Sequence, residues 1–382
     1  MLKETAEKSI TDILMAKAVA ARRPLSCHFE LTYRCNFKCP MCYIRMTDEQ
    51  AKPYGRLRTL DEWLDMARQV KEAGAYYITL TGGECTTYPN FIELYTELIK
   101  MGFRVSLMSN AGAYTPEIRE LFRKYPPCGV AVSIYGGSNE TYEKVTGDAK
   151  GFDKVVENLK FLKETGVSVS LSFTIIKQNV QDYPAVSDLA VKLNLPLKII
   201  TDIVKHNRDV SFSDALSCRL SPAEAACIAF NKPRDVEKAL NEAKDLEKYA
   251  GTVPSQLSEE MPDAVIRSCN GSCMEASIFW NGDMQTCISL AGAKCYKPFE
   301  VGFETAWQQL QGDAPESFAP SPVCLRCTLA DSCFGKCSAR NFEGTGDSRK
   351  PDPYVCQFTW MRKYYEKTYG TKQNIDIKDC IE

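Results

Sequence analysis

Cys35-Asn36-Phe37-Lys38-Cys39-Pro40-Met41-Cys42-Tyr43 places three thiols within eight residues. The apolar run before it, 26–32, reads as a strand, so the thiols fall on the loop that leaves a strand's C-terminal end. Three cysteines at x3 and x2 spacing on a short loop can take three irons of one cubane and leave the fourth without a protein ligand. The competing readings are a zinc knuckle, which lacks a nearby fourth Cys or His, and three inert thiols. An open iron points to substrate or cofactor chemistry.

Outward from this loop the chain alternates. Strand-like runs recur at 75–81, 103–108, 129–134, 167–176 and 197–204, and helix-period segments lie between them at 60–73, 89–101, 115–125, 138–165 with a break at Gly147 to Gly151, and 182–193. Thr59-x-x-Glu62 is a capping box for the first of these helices. Strands separated by helices imply right-handed crossovers, a parallel sheet, and ligands at the C-terminal strand ends. A helix over 4–22, with Ile10, Ile13, Leu14 and Ala18 on one face, is expected to cap a barrel end.

After about residue 205 the alternation stops. Ser221-Pro222-Ala223-Glu224 opens a helical stretch charged at ten of nineteen positions over 232–250, a solvated surface with no chemistry assigned to it. Gly251 to Asp263 reads as loop. From Cys269 the chain is rich in Cys, Gly, Pro, Asn and Asp, the texture of a metal-held unit.

Composition narrows the chemistry. The 382 residues carry 47 Lys+Arg against 49 Asp+Glu, so no basic surface for nucleic acid is expected. With 18 cysteines and only His28 and His206, a His-rich metal site, a Ser-His-Asp triad and a Cys-His dyad lose plausibility together. A chain of this length needs no disulfide scaffold, so grouped thiols read as metal ligands. No segment has the length to span a bilayer and no signal-peptide core is present, which gives a cytoplasmic expectation.

At the end of the second strand stands Thr81-Gly82-Gly83-Glu84-Cys85. Paired glycines permit close backbone approach, and a glutamate offers acceptors to an amine. The C-x3-C-x2-C loop after strand one followed by Gly-Gly-Glu after strand two resembles the radical S-adenosylmethionine (SAM) enzymes. That resemblance implies an α/β fold, a partial (β/α)6 barrel, with Cys35, Cys39 and Cys42 holding a [4Fe–4S] cluster whose open iron is chelated by SAM. Reduction then cleaves SAM to methionine and a 5′-deoxyadenosyl radical that abstracts a substrate hydrogen. The resemblance assigns Gly82, Gly83 and Glu84 to the SAM amino group, Ser133 to the ribose and Lys144 to the SAM carboxylate, and adds Tyr43 and Asn110 to the SAM-binding set. Relatives usually continue Gly-Gly-Glu with Pro; here Cys85 follows, either a small buried thiol or a catalytic one.

Cys324-x2-Cys327-x5-Cys333-x3-Cys337, then Cys356, with an upstream Gly282-x4-Cys287, resembles the SPASM domain of radical SAM enzymes. The pattern implies two auxiliary [4Fe–4S] clusters, one on Cys269, Cys273, Cys287 and Cys337 and one on Cys324, Cys327, Cys333 and Cys356. Cys273 is the least regular ligand of the set; without it the first auxiliary cluster has an open iron. A zinc domain is the alternative. Cys27, Cys128, Cys218, Cys227, Cys295 and Cys380 read as structural or incidental.

The domains expected are an N-terminal helix (1–25), the radical SAM partial barrel (26–204), a helical linker (205–265) and a small cysteine-rich SPASM unit (266–382). The resemblance is greatest to ribosomal-peptide maturases and implies an oxidoreductase that forms a thioether or other crosslink in a peptide or small protein. A sulfatase maturase is disfavoured, because Ile288 follows Cys287 where that family places an acidic base. Asp202, near the sixth strand end, is a candidate base, with capping or solvation as its alternative. The partners implied are an electron donor such as flavodoxin or ferredoxin and, since about 25 residues precede the first strand, too few for a winged-helix recognition domain, either a separate leader-peptide recognition protein or a leaderless mode. The runner-up is a small-molecule enzyme of cofactor or haem biosynthesis. A multi-cluster electron carrier comes third, since a carrier gains nothing by exposing an iron.

Overall fold

The computed structural model describes residues 10–204, 215–247, 271–290, 293–317, 321–333 and 337–369. Strands β1 (Ser26–Glu30), β2 (Tyr77–Thr81), β3 (Arg104–Ser109), β4 (Gly129–Ile134), β5 (Val169–Thr174) and β6 (Leu197–Ile200) lie side by side in chain order, every pair parallel. Counting helices of eight residues or more, α1 (Ile10–Ala21) precedes them. Between them come α2 (Leu60–Glu72), α3 (Phe91–Lys100), α4 (Pro116–Lys124), α5 (Asn139–Thr146), α6 (Gly151–Glu164) and α7 (Tyr183–Leu193). This is a partial (β/α)6 barrel. Five of the six strands and all the helices between them fall within the runs expected from periodicity, with ends trimmed, and β3 extends one residue past its run, to Ser109.

Burial alternates along the strands and explains which side faces what. Phe29 packs its ring 4.8 Å from Trp63 of α2, so Cys27, Phe29, Ile78, Leu80, Val105, Leu107, Val130 and Val132, all almost fully buried, face the helices. The alternate positions, His28, Thr79, Ser106, Ala131, Ser133 and Ser172, are half-buried and line the opposite, inner face. Small polar residues there leave the barrel room for a ligand; Thr79 and Ser106 join hydroxyls across it at 2.8 Å. Helix α2 begins at its capping box, with Glu62 N–H donating to Thr59 Oγ1 (3.3 Å) and Thr59 N–H to Glu62 Oε2 (2.8 Å). It buries Trp63, Met66, Ala67 and Val70; losing the Trp63 indole would cost roughly 3–5 kcal/mol.

Three features depart from the expectations. No residue of α1 is buried, and Ile10, Ile13 and Leu14 are 78%, 43% and 38% exposed, so its apolar face does not cap the barrel. The end of α1 is held by polar contacts instead: Arg22 Nε donates to Gln311 Oε1 (2.9 Å), and Trp307 Nε1 donates to the Arg22 carbonyl (3.0 Å). Second, β7 (Glu275–Ile278) pairs in parallel with the free edge of β1, Cys27 opposite Ala276, and β8 (Met284–Gln285) returns antiparallel to it. The sheet therefore runs β6-β5-β4-β3-β2-β1-β7-β8, and the cysteine-rich segment continues the barrel sheet. An edge strand leaves its backbone groups unpaired, and β7 supplies their partners.

Third, the helices of the expected linker, α8 (Pro222–Asn231) and α9 (Val236–Glu247), are packed. Ala223, Ala226, Cys227, Ala239 and Ala243 form one buried cluster with Met361 and Tyr365 of the last helix, α12 (Pro353–Tyr369). The charges of α9 face outward as expected, with the Lys238 and Glu242 side chains 73% and 56% exposed. The remaining helices of this length are α10 (Phe303–Ser317) and α11 (Ser338–Thr345).

Candidate active site

The cysteine loop leaves the C-terminal end of β1 and is stitched to its neighbours by backbone. Gly83 N–H donates to Thr32 O (2.7 Å) and Glu84 N–H to Arg34 O (3.0 Å), drawing the end of β2 against the loop. This approach needs both glycines. A Cβ on Gly82, at φ +145°, would stand 2.6 Å from Thr32 O, and one on Gly83 would stand 2.3 Å from Arg34 O. On the other side Lys38 N–H donates to Thr146 O at the end of α5 (2.8 Å).

The three loop thiols are gathered on one loop, and Cys35 and Cys42 each have their own donors. Cys35 Sγ accepts from Phe37 N–H (3.4 Å) and Asn110 Nδ2 (3.4 Å), and Cys42 Sγ from Arg45 N–H (3.2 Å). Burial, then the Glu84 carboxylate, pushes the Cys35 thiol up to about 12; burial and the neighbouring thiols raise Cys39, and burial raises Cys42. Thiols that repel one another as anions favour a shared cation, which removes that repulsion on binding. Among the described residues no three His, Cys, Asp or Glu side chains converge as the ligands of one metal ion do. One thiol per iron at three corners of a cubane does not ask for that convergence, so the loop's donor set fits a [4Fe–4S] cluster better than zinc.

Glu84 is fully buried. Its Oε1 accepts from Thr86 N–H (3.2 Å), Thr86 Oγ1 (2.7 Å) and Ser109 Oγ (2.9 Å), and its Oε2 accepts from Asn110 N–H (2.7 Å). The carboxylate thus ties the end of β2 to the end of β3 and sets Asn110 toward Cys35. Cys85 is also wholly buried, its thiol aimed at Glu84 Oε1 and Met108 O (both 3.7 Å), and burial raises it well above the usual thiol range. It offers a substrate no surface, because the turn after Glu84 folds it under β3.

Ser133 is half-buried on the inner face of β4, opposite Ser172 of β5. Lys144 is exposed on α5, two residues before the Thr146 carbonyl that anchors the loop. Burial, with Glu30, Cys42, Glu343 and Cys287 around it, holds the Tyr43 hydroxyl well above its ordinary range.

In the C-terminal segment Cys324, Cys327, Cys333 and Cys356 come together: burial and then the other three thiols push Cys356 up to about 12. Thr359 Oγ1 donates to Cys333 Sγ at 3.1 Å. Cys287 and Cys337 also approach each other, with Cys287 pushed up to about 11, chiefly by burial. Cys273 lies in a short helical turn, Gly271–Met274, and Cys269 lies outside the described residues, as do His206 and Cys380. Every described cysteine is a free thiol.

Asp202, two residues past β6, is ion-paired with Arg340 of α11, and Arg340 Nη1 lies 3.2 Å from Glu343 Oε2. Burial raises the Asp202 carboxyl, opposed by Arg340. Sequence reasoning missed Arg340 and Glu343; nothing local marks the two.

Residues 29–190 match the radical SAM superfamily model. The chain is 26% identical over 343 residues to the AdoMet-dependent heme synthase of Methanosarcina barkeri, covering 85% of this chain and 94% of that protein. It is 24% identical over 341 residues to the PqqA peptide cyclase of Bradyrhizobium diazoefficiens, covering 86% and 85%. In fold it is similar to native anSMEcpe with bound AdoMet, at a TM-score of 0.64 and 18% identity over 91% of this chain and 98% of that one. A C-x3-C-x2-C loop at the mouth of a partial (β/α)6 barrel, braced by Gly-Gly-Glu, and the match over residues 29–190 make this barrel a radical SAM domain, of a superfamily whose members bind a [4Fe–4S] cluster and SAM.

Proposed function

We propose that this protein is a peptide-modifying radical SAM oxidoreductase that forms a thioether or other crosslink. The observation that carries the radical chemistry is the placing of Cys35, Cys39 and Cys42 on one loop at the C-terminal end of β1, where Asn110 at the end of β3 donates to Cys35 Sγ and Arg45 N–H of the loop donates to Cys42 Sγ. When bound and reduced, the cluster with SAM supplies a 5′-deoxyadenosyl radical for hydrogen abstraction. Gly82 and Gly83 bring the β2 end into contact with the loop and leave backbone groups for the SAM amino group. Glu84 acts through Asn110, which it holds in place beside Cys35. Ser133 faces the ribose from the inner wall. Lys144 meets the SAM carboxylate only from an exposed position, and Tyr43 closes the site toward the C-terminal cysteines.

We assign the C-terminal segment as a SPASM domain with two auxiliary clusters, on Cys324, Cys327, Cys333 and Cys356 and on Cys269, Cys273, Cys287 and Cys337. The gathered quartet and the Cys287–Cys337 approach support this. Held there, such clusters would supply an acceptor for the electron left when a substrate loses two hydrogens. The donor of the first electron is a flavodoxin or ferredoxin, and a separate protein presents the leader peptide. Free thiols suit the reducing cytoplasm, and no described helix is long and apolar enough to cross a membrane.

The peptide reading is supported by similarity to a peptide cyclase along 86% of the chain. A second reading, a tetrapyrrole or other small-molecule substrate, is favoured by the haem synthase match along 85% of it. Anaerobic coexpression with a Cys-containing precursor encoded beside this gene separates them. The peptide reading expects a loss of two hydrogens per crosslink; an unmodified precursor, with 5′-deoxyadenosine formation stimulated by a tetrapyrrole, favours the second.

A further inference from the structure

Apart from the cysteine loop, cations gather around a cavity of about 430 Å³ lined by Lys177, Arg219 and Lys244, with Ser221, Glu224 and Tyr354 among their neighbours. Lys177 stands three residues past the end of β5, and Arg219 Nη1 donates to the carbonyl of Ile203 (3.3 Å), three residues past the end of β6. Both therefore lie at the C-terminal strand ends, the face of the sheet that carries the cysteine loop. The half-buried Arg219 guanidinium lies 3.7 Å from the ring centroid of Tyr354, and Tyr354 Oη donates to the Leu220 carbonyl (3.1 Å). Lys177 Nζ donates to the Ser217 carbonyl (2.9 Å), and Lys244 of α9 bonds to nothing among the described residues, so most donors of the three cations are unspent. None of the three is ion-paired among the described residues. The carboxylate of the lining, Glu224, accepts from Ser221 N–H (2.9 Å) in the cap of α8, and Asp202 is paired with Arg340. Glu224 N–H in turn donates to Ser221 Oγ (3.2 Å), so an anion here answers to the side chains and not to an open helix end. Cations facing one cavity repel one another, and a bound anion removes that repulsion while gaining charge-assisted hydrogen bonds.

We propose that this cavity is an anion subsite that holds a carboxylate side chain of the substrate peptide and so anchors the peptide at the C-terminal ends of β5 and β6. This rests on the peptide reading above. Stacked on Tyr354, the Arg219 guanidinium is set before a ligand arrives, and its flat fork matches a carboxylate. Lys177 and Lys244 reach in from exposed positions as flexible point charges. A volume of about 430 Å³ falls in the range of small-ligand sites and admits an acidic side chain. Peptides acidic at the anchored position are therefore the preferred substrates, and those with glutamine there the poorer ones.

The test is fluorescence anisotropy on the reconstituted full chain, with labelled acetyl-Glu-Glu-Glu-Glu-amide as the probe beside its all-glutamine counterpart, at low and at high salt. Lys177→Gln and Lys244→Gln are compared with the parent and with Lys160→Gln and Lys192→Gln, which remove the same charge from exposed positions on α6 and α7. The parent is expected to bind the glutamate peptide and not the glutamine one. Each cavity variant should weaken that binding roughly two- to fivefold, an effect that fades at high salt, while the α6 and α7 variants leave it in place. The same two changes should raise KM for the Cys-containing precursor encoded beside this gene more than they lower kcat. A parent that binds neither peptide, equal binding of both, or an equal loss in the α6 and α7 variants overturns the proposal. Tighter binding of inorganic phosphate or of a propionate-bearing porphyrin through the same lysines overturns it too. An unmoved KM overturns the substrate assignment even where the glutamate peptide binds. A precursor that the parent leaves unmodified removes the peptide reading and the proposal with it, and because probe binding needs no turnover, that failure is told apart from failure of the subsite.

Discussion

Asn110 Nδ2 stands 3.4 Å from Cys35 Sγ while the backbone N–H of the same residue donates to Glu84 Oε2 at 2.7 Å. One residue thus links the acid of the Gly-Gly-Glu turn to the first cysteine of the loop, three strand ends in one line of contact. The acid's side chain is spent on this link, which shifts what its removal does.

Glu84→Ala leaves the donors of Thr86, Ser109 and Asn110 buried without their acceptor. Urea denaturation is expected to show a loss on the order of 3 kcal/mol, beyond any effect on SAM affinity. A variant as stable as the parent would show that the turn does not depend on the carboxylate.

Gly83→Ala sets a methyl 2.3 Å from Arg34 O and 2.7 Å from Arg34 C, backbone atoms with no room to yield. The expected cost is about 1–3 kcal/mol, with weakened iron retention as the loop is pushed from β2. Denaturation and iron analysis on the same preparation check both halves.

Much of this was legible from local signals. The strands announced themselves by apolar runs and the helices by caps such as Thr59 with Glu62, because those patterns are short-range. The loop cysteines and the Gly-Gly-Glu turn were likewise read from spacing, but the reason for the glycines, contact with Thr32 and Arg34, lies across two strands. The pairing of Cys27 with Ala276 joins residues some 250 positions apart, and no pattern in either segment specifies it. A separation of 138 positions likewise hid Asp202 with Arg340. For α1 the apolar spacing misled, since Ile10 and Ile13 face outward and polar contacts at Arg22 hold the helix end.

Arg340 joins the end of β6 to the helix that follows Cys337, with its side chain and that of Asp202 about three-quarters buried. Arg340→Ala strands two carboxylates at the barrel mouth, and a loss of about 1–3 kcal/mol is expected. Product formation should fall while SAM cleavage persists, because the loop thiols are untouched. Parallel measurement of 5′-deoxyadenosine and modified substrate tests this; loss of both together would contradict it.

Burial pushes the Glu343 carboxyl up to about 7 from an ordinary 4.5. The folded chain holds this proton in a range where the unfolded chain has released it. Its contribution to stability is therefore complete below pH 4.5 and is lost as pH rises to about 7, with an upper bound of roughly 3 kcal/mol. Glu343→Gln cannot lose that proton, so its stability relative to the parent should rise across this window. Denaturation curves at several pH values, run on both, show whether the gap opens in that direction.

The claim on which the rest depends is that Cys35, Cys39 and Cys42 hold a cluster that cleaves SAM. The most direct measurement is anaerobic 5′-deoxyadenosine formation under strong reductant by the reconstituted parent and by Cys39→Ala, with iron and sulfide counted on both. The account predicts roughly twelve irons per parent chain at four per cubane, steady 5′-deoxyadenosine from the parent, and none from Cys39→Ala, which keeps its auxiliary iron. Equal SAM cleavage by the two proteins, or a parent that binds only zinc, would contradict it.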